Sequence, residues 1–332
     1  MGPQRGPQLS VRRREFVTLV VGAFAAWSLS ARAQQRNVAT VGILIRAAPG
    51  WERFWQLFPE ALRDLGYIEG KNIHFEFRSD QGETSRLSEL AAELVRLKVD
   101  VIVALYVPCA LAAKQATREI PIVIIAADPV ETGIVASLAR PGGNITGVSL
   151  MSAVFVGKCV ELFRDMLAAP RKVAAITNAA DPLFAKLALD HVELAGRLTG
   201  IEIQPISIAG PDQGLTEAFA AMMSGRADAV VIQGSLSTKR IADLAVEHHL
   251  PAASTTRSFV DAGGLMSYGA DGPSLFRHGA KFVQRILQGR QPNDLPIEQP
   301  TKFELAINLK TAKAMSLTIP EGFLLRADSL LE

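Results

Sequence analysis

Cysteine is scarce: the 332 residues hold two, Cys109 and Cys159. Two such residues on separate predicted helices make neither a disulfide scaffold nor a metal site, so two free thiols are expected. Histidine numbers five, and His248-His249 is the sole adjacent pair. Neighbouring residues do not face each other on a helix, so that pair reads as a solvated helix end and no metal is expected. No G-x-G-x-x-G, P-loop or G-x-S-x-G follows a predicted strand, and no nucleophile–base pair emerges. These absences argue against an enzyme and against a resident cofactor. Outside the N-terminus no apolar run reaches the roughly 18 residues of a membrane helix. Aromatics are only 6% while hydrophobic residues reach 48%, with frequent alanine, which describes a soluble α/β chain.

The N-terminus accounts for the apparent excess of positive charge. Arg12-Arg13-Arg14 precedes a short apolar stretch, Val17 to Leu29, and then Ala31-Arg32-Ala33. That order reads as an export signal, residues 1–33, whose Arg13-Arg14-Glu15-Phe16-Val17 core resembles a twin-arginine signal, with cleavage expected after Ala33 and a periplasmic destination. No cysteine follows Ala33, so no lipid anchor is expected. Of 35 basic and 33 acidic residues, residues 1–33 hold five Arg and one Glu, leaving 30 and 32, a formal charge of −2. No basic patch for nucleic acid survives.

The remainder is long for one core and alternates strand with helix patterns. Predicted strands cover Val38–Ile45, Asn72–Arg78, Val99–Leu105 and Ile120–Ala126, and helical faces recur at Phe54, Phe58, Ala61, Leu62 and at Leu87, Leu90, Ala91, Leu94. Pro59 inside the first face predicts a kink or a later start. The stretch Ile120–Ser149 reads as strand, turn at Asp128-Pro129, short helix marked by Ile134, Val135 and Leu138, glycine turn at Pro141–Asn144, and strand. A second half of the same rhythm begins near Met151. The fold class is therefore α/β, with two doubly wound parallel sheets. The tail, from Gly263 onward, breaks the symmetry and implies a chain that crosses between lobes three times. Residues 38–147 plus 268–298 are expected to form the first lobe, and 149–265 plus 300–332 the second. Pro141–Gly147 would be the first hinge strand.

Several stretches carry a family resemblance: RRREFVTL (12–19), GYIEGKNI (66–73), LAAELVRLKVDVIVA (90–104), IPIVIIAADPVETGIVASLARPGGNITG (120–147), GGLMSYG (263–269) and QPTKFELAINLKTAKAMSLTIP (299–320). Collinear over nearly the whole chain, they resemble the ABC-transporter substrate-binding proteins of the tryptophan/tyrosine-binding type. The resemblance implies the type I periplasmic binding protein fold, a clamshell of two lobes joined by three crossovers. It implies a monomer that closes on a small ligand such as an aromatic or other apolar amino acid, delivers it to a membrane permease and ATPase, and performs no catalysis. A periplasmic sensor feeding a receptor, or an exported enzyme using the same cleft, are the alternatives.

Ligands in open parallel sheets sit beyond the carboxyl ends of strands, which nominates specific side chains. Asp128 would receive an ammonium group, or cap a helix. Arg46 would pair a carboxylate, or remain a solvated loop arginine. Trp51 and Tyr106 would sandwich an apolar body, or pack on a lobe surface. The helix N-terminus at Pro108 offers backbone donors. Asn178 and Ser235 at second-lobe strand ends, and Thr255 and Tyr268 beside a returning crossover, would hydrogen-bond the ligand or satisfy loop backbone.

Overall fold

The computed structural model describes residue 2 and residues 38–47, 51–210 and 213–332. The expected export segment, apart from residue 2, lies outside the described residues. Ala39–Glu332 forms one compact unit, and among the described residues no helix is long and apolar enough to cross a membrane.

The chain builds β1 (Ala39–Ile45), α1 (Trp51–Asp64), β2 (Ile73–Ser79), α2 (Leu87–Arg96), β3 (Val101–Leu105), α3 (Val107–Ala116), β4 (Ile122–Ala126) and β5 (Ile145–Ser149). The five strands pair in the order β2-β1-β3-β4-β5, all parallel. β3 and β4 are buried at every position. Their sequences are continuous apolar runs because helices cover both faces of the sheet. On one face Phe54, Phe58 and Leu62 of α1 pack against Val41, Ile43 and Val103. On the other, Leu90 and Leu94 of α2 and Ala110 of α3 meet Leu44, Ile102 and Ile124. Each large side chain so buried stabilises the fold by about 1.5–3 kcal/mol.

Two expected features do not form here: a helix start delayed to Pro59, and a short helix after β4. α1 begins ahead of Pro59 and continues through it. The buried Phe54 and Phe58 rings, stacked at 4.8 Å with Phe54 edge-on to Phe276, anchor the turns ahead of the proline. After β4 no short helix forms. Thr132 N–H and its hydroxyl both return to the Asp128 carbonyl, and Asp128 (φ 42°) and Gly133 (φ 72°) turn the chain left-handed. The segment is a series of turns, although Ile134 and Val135 are buried as their apolarity demands.

The second part contains α4 (Ser152–Met166), β6 (Lys172–Asn178), α5 (Pro182–Thr199), β7 (Glu202–Ile208), α6 (Leu215–Ser224), β8 (Ala229–Ile232), α7 (Lys239–Glu247), β9 (Ala252–Ser254), α8 (Arg257–Asp261), β10 (Met266–Ala270), α9 (Gly272–Leu287), β11 (Phe303–Asn308), α10 (Leu309–Ala314), α11 (Glu321–Leu324) and β12 (Ser329–Leu331). Its sheet runs β12-β11-β10-β9-β8-β6-β7. Every pair is parallel except β10 with β11. That exception arises because the chain leaves the sheet after β10 and returns through β11 from the opposite end.

Between those two strands α9 packs on the first sheet, placing Leu275, Phe282, Val283 and Ile286 among the side chains of β1, β3 and β4. The segment ahead of β11 also lies on the first sheet: Ser149 N–H donates to Glu298 O, and Glu298 N–H donates to Gly147 O. The chain thus passes between sheets after Ser149, after Ala270, and between Glu298 and Phe303. The glycine turn at 141–144 precedes β5, and Gly147 lies inside it, so the first passage begins two residues later than the expected hinge. Tyr268, Gly269 and Ala270 stay in register with Leu305, Glu304 and Phe303 of the second sheet. The second passage accordingly falls at Asp271 rather than at 268.

Candidate functional site

The carboxyl ends of the two sheets enclose a cavity of about 590 Å³. Leu105, Tyr106 and Ile125 close it from the ends of β3 and β4, and Thr255, Thr256 and Arg257 from the loop after β9. Much of the remaining wall comes from the passages and the elements they adjoin: Leu150, Ser152 and Phe155; Ala270, Asp271 and Phe276; and Lys302, Phe303 and Glu304. Arg53 of α1, Asp261 of α8 and Asp328 complete its charged part. Phe155 is held edge-on by Tyr268 and Phe303, at centroid separations of 5.6 and 5.3 Å. Such pairs fix ring orientation as well as burying area.

Tyr106 occupies φ 71°, ψ 159°, ahead of the first turn of α3 and without a side-chain cap. That region is almost exclusive to glycine and costs about 1–3 kcal/mol for other residues, a strain that concentrates at functional sites. Burial pushes its phenol up to about 12, with Cys109 and Glu52 adding to the effect, so the hydroxyl stays protonated.

Four charged groups of the cavity form one linked set. Arg257 Nε donates to Asp261 Oδ1 at 2.9 Å, and its Nη1 donates to Glu304. Arg53 of α1 reaches the same Asp261 at 3.6 Å, an ion pair between elements of the two sheets. Both partners are nearly half exposed, so this pair contributes at most about 1 kcal/mol. Asp328 Oδ2 accepts the Leu305 amide at 2.8 Å.

A second polar cluster lies apart from the cavity wall. Arg46, 7% exposed, has its Nε 3.8 Å from Asp80 Oδ2, and its Nη1 has no hydrogen-bond partner among the described residues. Asp80 is itself fully buried, its Oδ1 accepting the amides of Ala47 and Gly82. Arg46 is therefore not a solvated loop residue. Its charge is felt across the cleft, where it partly offsets the burial that raises the Asp181 carboxyl. Asp181 caps α5 through Phe184 N–H.

The nominated residues separate accordingly. Tyr106 and Thr255 line the cavity; Arg46, Pro108, Asp128, Asn178, Ser235 and Tyr268 do not. Pro108 sits in the first turn of α3. The side chain of Trp51, first residue of α1, lies outside the described part of the structure. Asn178 Nδ2 donates to Ser235 Oγ at 3.3 Å while its Oδ1 accepts Ala180 N–H, so this pair satisfies loop groups. Asp128 takes the capping alternative, though on a different helix from the one expected to follow it in sequence. Its Oδ2 accepts the amide of Ala153 at 3.0 Å, capping α4, a helix 25 residues further along, where Met151 offers no side-chain cap. Burial raises its carboxyl above the ordinary range, the Ala153 bond opposing the shift. His248 and His249 close the end of α7 as expected, His249 exposed and His248 half-buried with its ring stacked on Phe219 at 5.4 Å.

Phe155, Thr256, Arg257, Asp271, Phe276 and Glu304 were not anticipated. Their signal was present but weak: they adjoin Thr255 or lie next to the passages, and nothing local distinguishes them from helix or strand residues. Both cysteines are free and buried. Burial pushes the Cys159 thiol up to about 12 and raises that of Cys109 well above its ordinary value.

A family model described as ABC transporter substrate binding protein matches residues 41–331. A "Tyrosine-binding protein" of Clostridioides difficile (strain R20291) is 27% identical over 274 residues, 81% of this chain and 78% of that protein. A conserved domain protein from Vibrio cholerae has a similar solved structure, with TM-score 0.82 and 27% identity over 89% of this chain and all of that one. A Streptococcus pneumonia ABC domain in complex with L-Trp gives TM-score 0.81 at 22% identity, covering 88% of this chain and 99% of that one.

Proposed function

The chain belongs to the ABC transporter substrate-binding protein family, and from that membership we propose that it is the periplasmic component of an importer. Its ligand is an amino acid with an aromatic or other apolar side chain, held in the cavity between the lobes and handed to a membrane permease and ATPase. The observation that carries this reading is the cavity itself. Its volume falls within the roughly 300–1,000 Å³ of small-molecule sites. Tyr106, Phe155, Phe276 and Phe303 give it aromatic walls, and Arg53, Arg257 and Lys302 with four acids give it a charged side. The relatives that bind tyrosine and tryptophan support the ligand class. Tyr106 and Thr255 contact the ligand from opposite lobes, and Arg46 steadies the cleft from its flank.

Hinge closure is part of this proposal, and the placement of those groups on both lobes supports it. A ligand touching both lobes favours the state in which both touch it, and shifts the equilibrium only by its difference in affinity between open and closed forms.

Isothermal calorimetry with L-tyrosine, L-tryptophan, L-phenylalanine and the branched-chain amino acids tests the assignment. At least one should bind, with a fall in radius of gyration by small-angle scattering. Absence of binding by all of them would refute the amino-acid reading.

A further inference from the structure

Four acids line the cavity: Asp261, Asp271, Glu304 and Asp328. Three are committed. Asp261 holds two arginines, Glu304 holds Arg257, and Asp328 holds a backbone amide. Asp271 differs: no hydrogen bond or ion pair reaches its carboxylate among the described residues. It stands at the N-cap of α9, where an aspartate ordinarily accepts from the N2 or N3 amide, yet it makes no side-chain cap bond. The reason is local. Pro273 fills N2 and has no N–H, which removes one of the two donors a cap would use. The residue is half-buried at the cavity wall, on the passage from β10 to α9, with its backbone N–H fixed to Lys302 O at 3.2 Å.

We propose that Asp271 receives the ammonium group of the bound amino acid. Asp128, the acid the sequence pattern favours for that task, is spent on the Ala153 amide and lies off the cavity wall. A half-buried carboxylate with both oxygens unused is a strong acceptor for an ammonium, since charge-assisted bonds in partly dry surroundings exceed neutral ones. No cation on the wall neutralises Asp271 by direct contact: Arg257 is bonded to two acids, Arg53 pairs with Asp261, and the exposed Lys302 makes no ion pair among the described residues. The inference rests on the amino-acid reading of the cavity and adds the residue that distinguishes an amino acid from a simple aromatic acid.

The test compares L-tyrosine with 3-(4-hydroxyphenyl)propionate, which lacks only the ammonium, on wild type, Asp271→Asn and Asp271→Glu by calorimetry. Wild type should prefer tyrosine by about 10- to 100-fold. Asp271→Asn should abolish that preference by weakening tyrosine while leaving the propionate within about threefold, and Asp271→Glu should keep it. Because no cap bond is lost, the Asn variant should melt with wild type. Unchanged tyrosine affinity in Asp271→Asn, or equal weakening of both ligands, would overturn the assignment while leaving the amino-acid reading intact. If wild type binds no amino acid of the panel, both fall together.

Discussion

Asp128→Ala removes the carboxylate that accepts the Ala153 amide at 3.0 Å, so it unmakes the cap of α4 without touching the cavity wall. Loss of an N-cap acceptor destabilises by about 0.5–2 kcal/mol. The backbone adds to this, because Asp128 sits at φ 42°, where aspartate and asparagine are tolerated and alanine is disfavoured by about 1 kcal/mol. The sum, about 2 kcal/mol, should lower the melting temperature by roughly 4 °C in a chain of this size. Asp128→Asn keeps an acceptor, keeps the tolerance for that backbone, and removes a charge whose burial is unfavourable. The pH dependence has a definite sign. Burial raises the folded carboxyl above its ordinary 3.8, so the folded state holds this proton more tightly than the unfolded chain. The stability it contributes is full below pH 3.8 and is lost as pH rises through the folded value. The Asn variant therefore gains on wild type from acid towards neutral pH, and differs least below pH 3.8. Thermal melts across that range, with amino-acid titrations beside them, check the reasoning. An alanine variant that melts with wild type but binds ten times more weakly, or not at all, would return Asp128 to the ligand site and refute the capping account.

Gly147 should tolerate no side chain. At φ +139° an added Cβ would lie 2.1 Å from the Ile124 carbonyl oxygen, so Gly147→Ala should destabilise by more than about 4 kcal/mol, whereas Gly142→Ala, with open space around it, should cost about 1 kcal/mol; urea midpoints compare them. Cys109 and Cys159 are 0% exposed with raised thiols. Neither should react with Ellman's reagent at pH 8 in the native protein, and both should react in denaturant; rapid native labelling would contradict their burial.

What the sequence reveals follows the range over which each interaction acts. β3 and β4 are legible because five consecutive apolar residues, each strand buried on both faces, have few other ways to be satisfied. The failure after β4 is of the other kind. Ile134, Val135 and Leu138 have helical spacing, but the Thr132 hydroxyl and the turn at Gly133 bring the first two into the core without a helix. Asp128 was legible as a cap but not for its helix, since its partner amide is 25 residues away. Arg46 was placed at the correct strand end, but Asp80, which buries with it, comes from another strand and left no local mark. The cavity acids show the limit in part. Asp261, last residue of α8, has its Arg257 partner four residues back and so within reach of a sequence reading, but its second arginine, Arg53, and the unused state of Asp271 depend on the three-dimensional neighbours.

The position of the cavity bears on how binding becomes movement. Its wall includes residues of all three passages: Leu150 and Ser152 on the first, Ala270 and Asp271 on the second, Lys302 and Phe303 on the third. A ligand there touches the segments whose backbone torsions must change if the lobes swing, as well as the lobes themselves. Contacts confined to one lobe would be equally available in an open form and would contribute affinity without closure. Contacts to a passage differ between the two states, so each 1.4 kcal/mol of that difference shifts the closed population tenfold. Asp271 occupies such a position, one residue beyond the end of β10 and one before α9, which packs on the other sheet. An ammonium held there acts on the joint itself. Its loss should therefore reduce both the affinity for an amino acid and the compaction each bound molecule produces, whereas a change at the Arg53–Asp261 pair, which spans the lobes but not the passages, should alter affinity only slightly and leave the compaction at saturation unchanged.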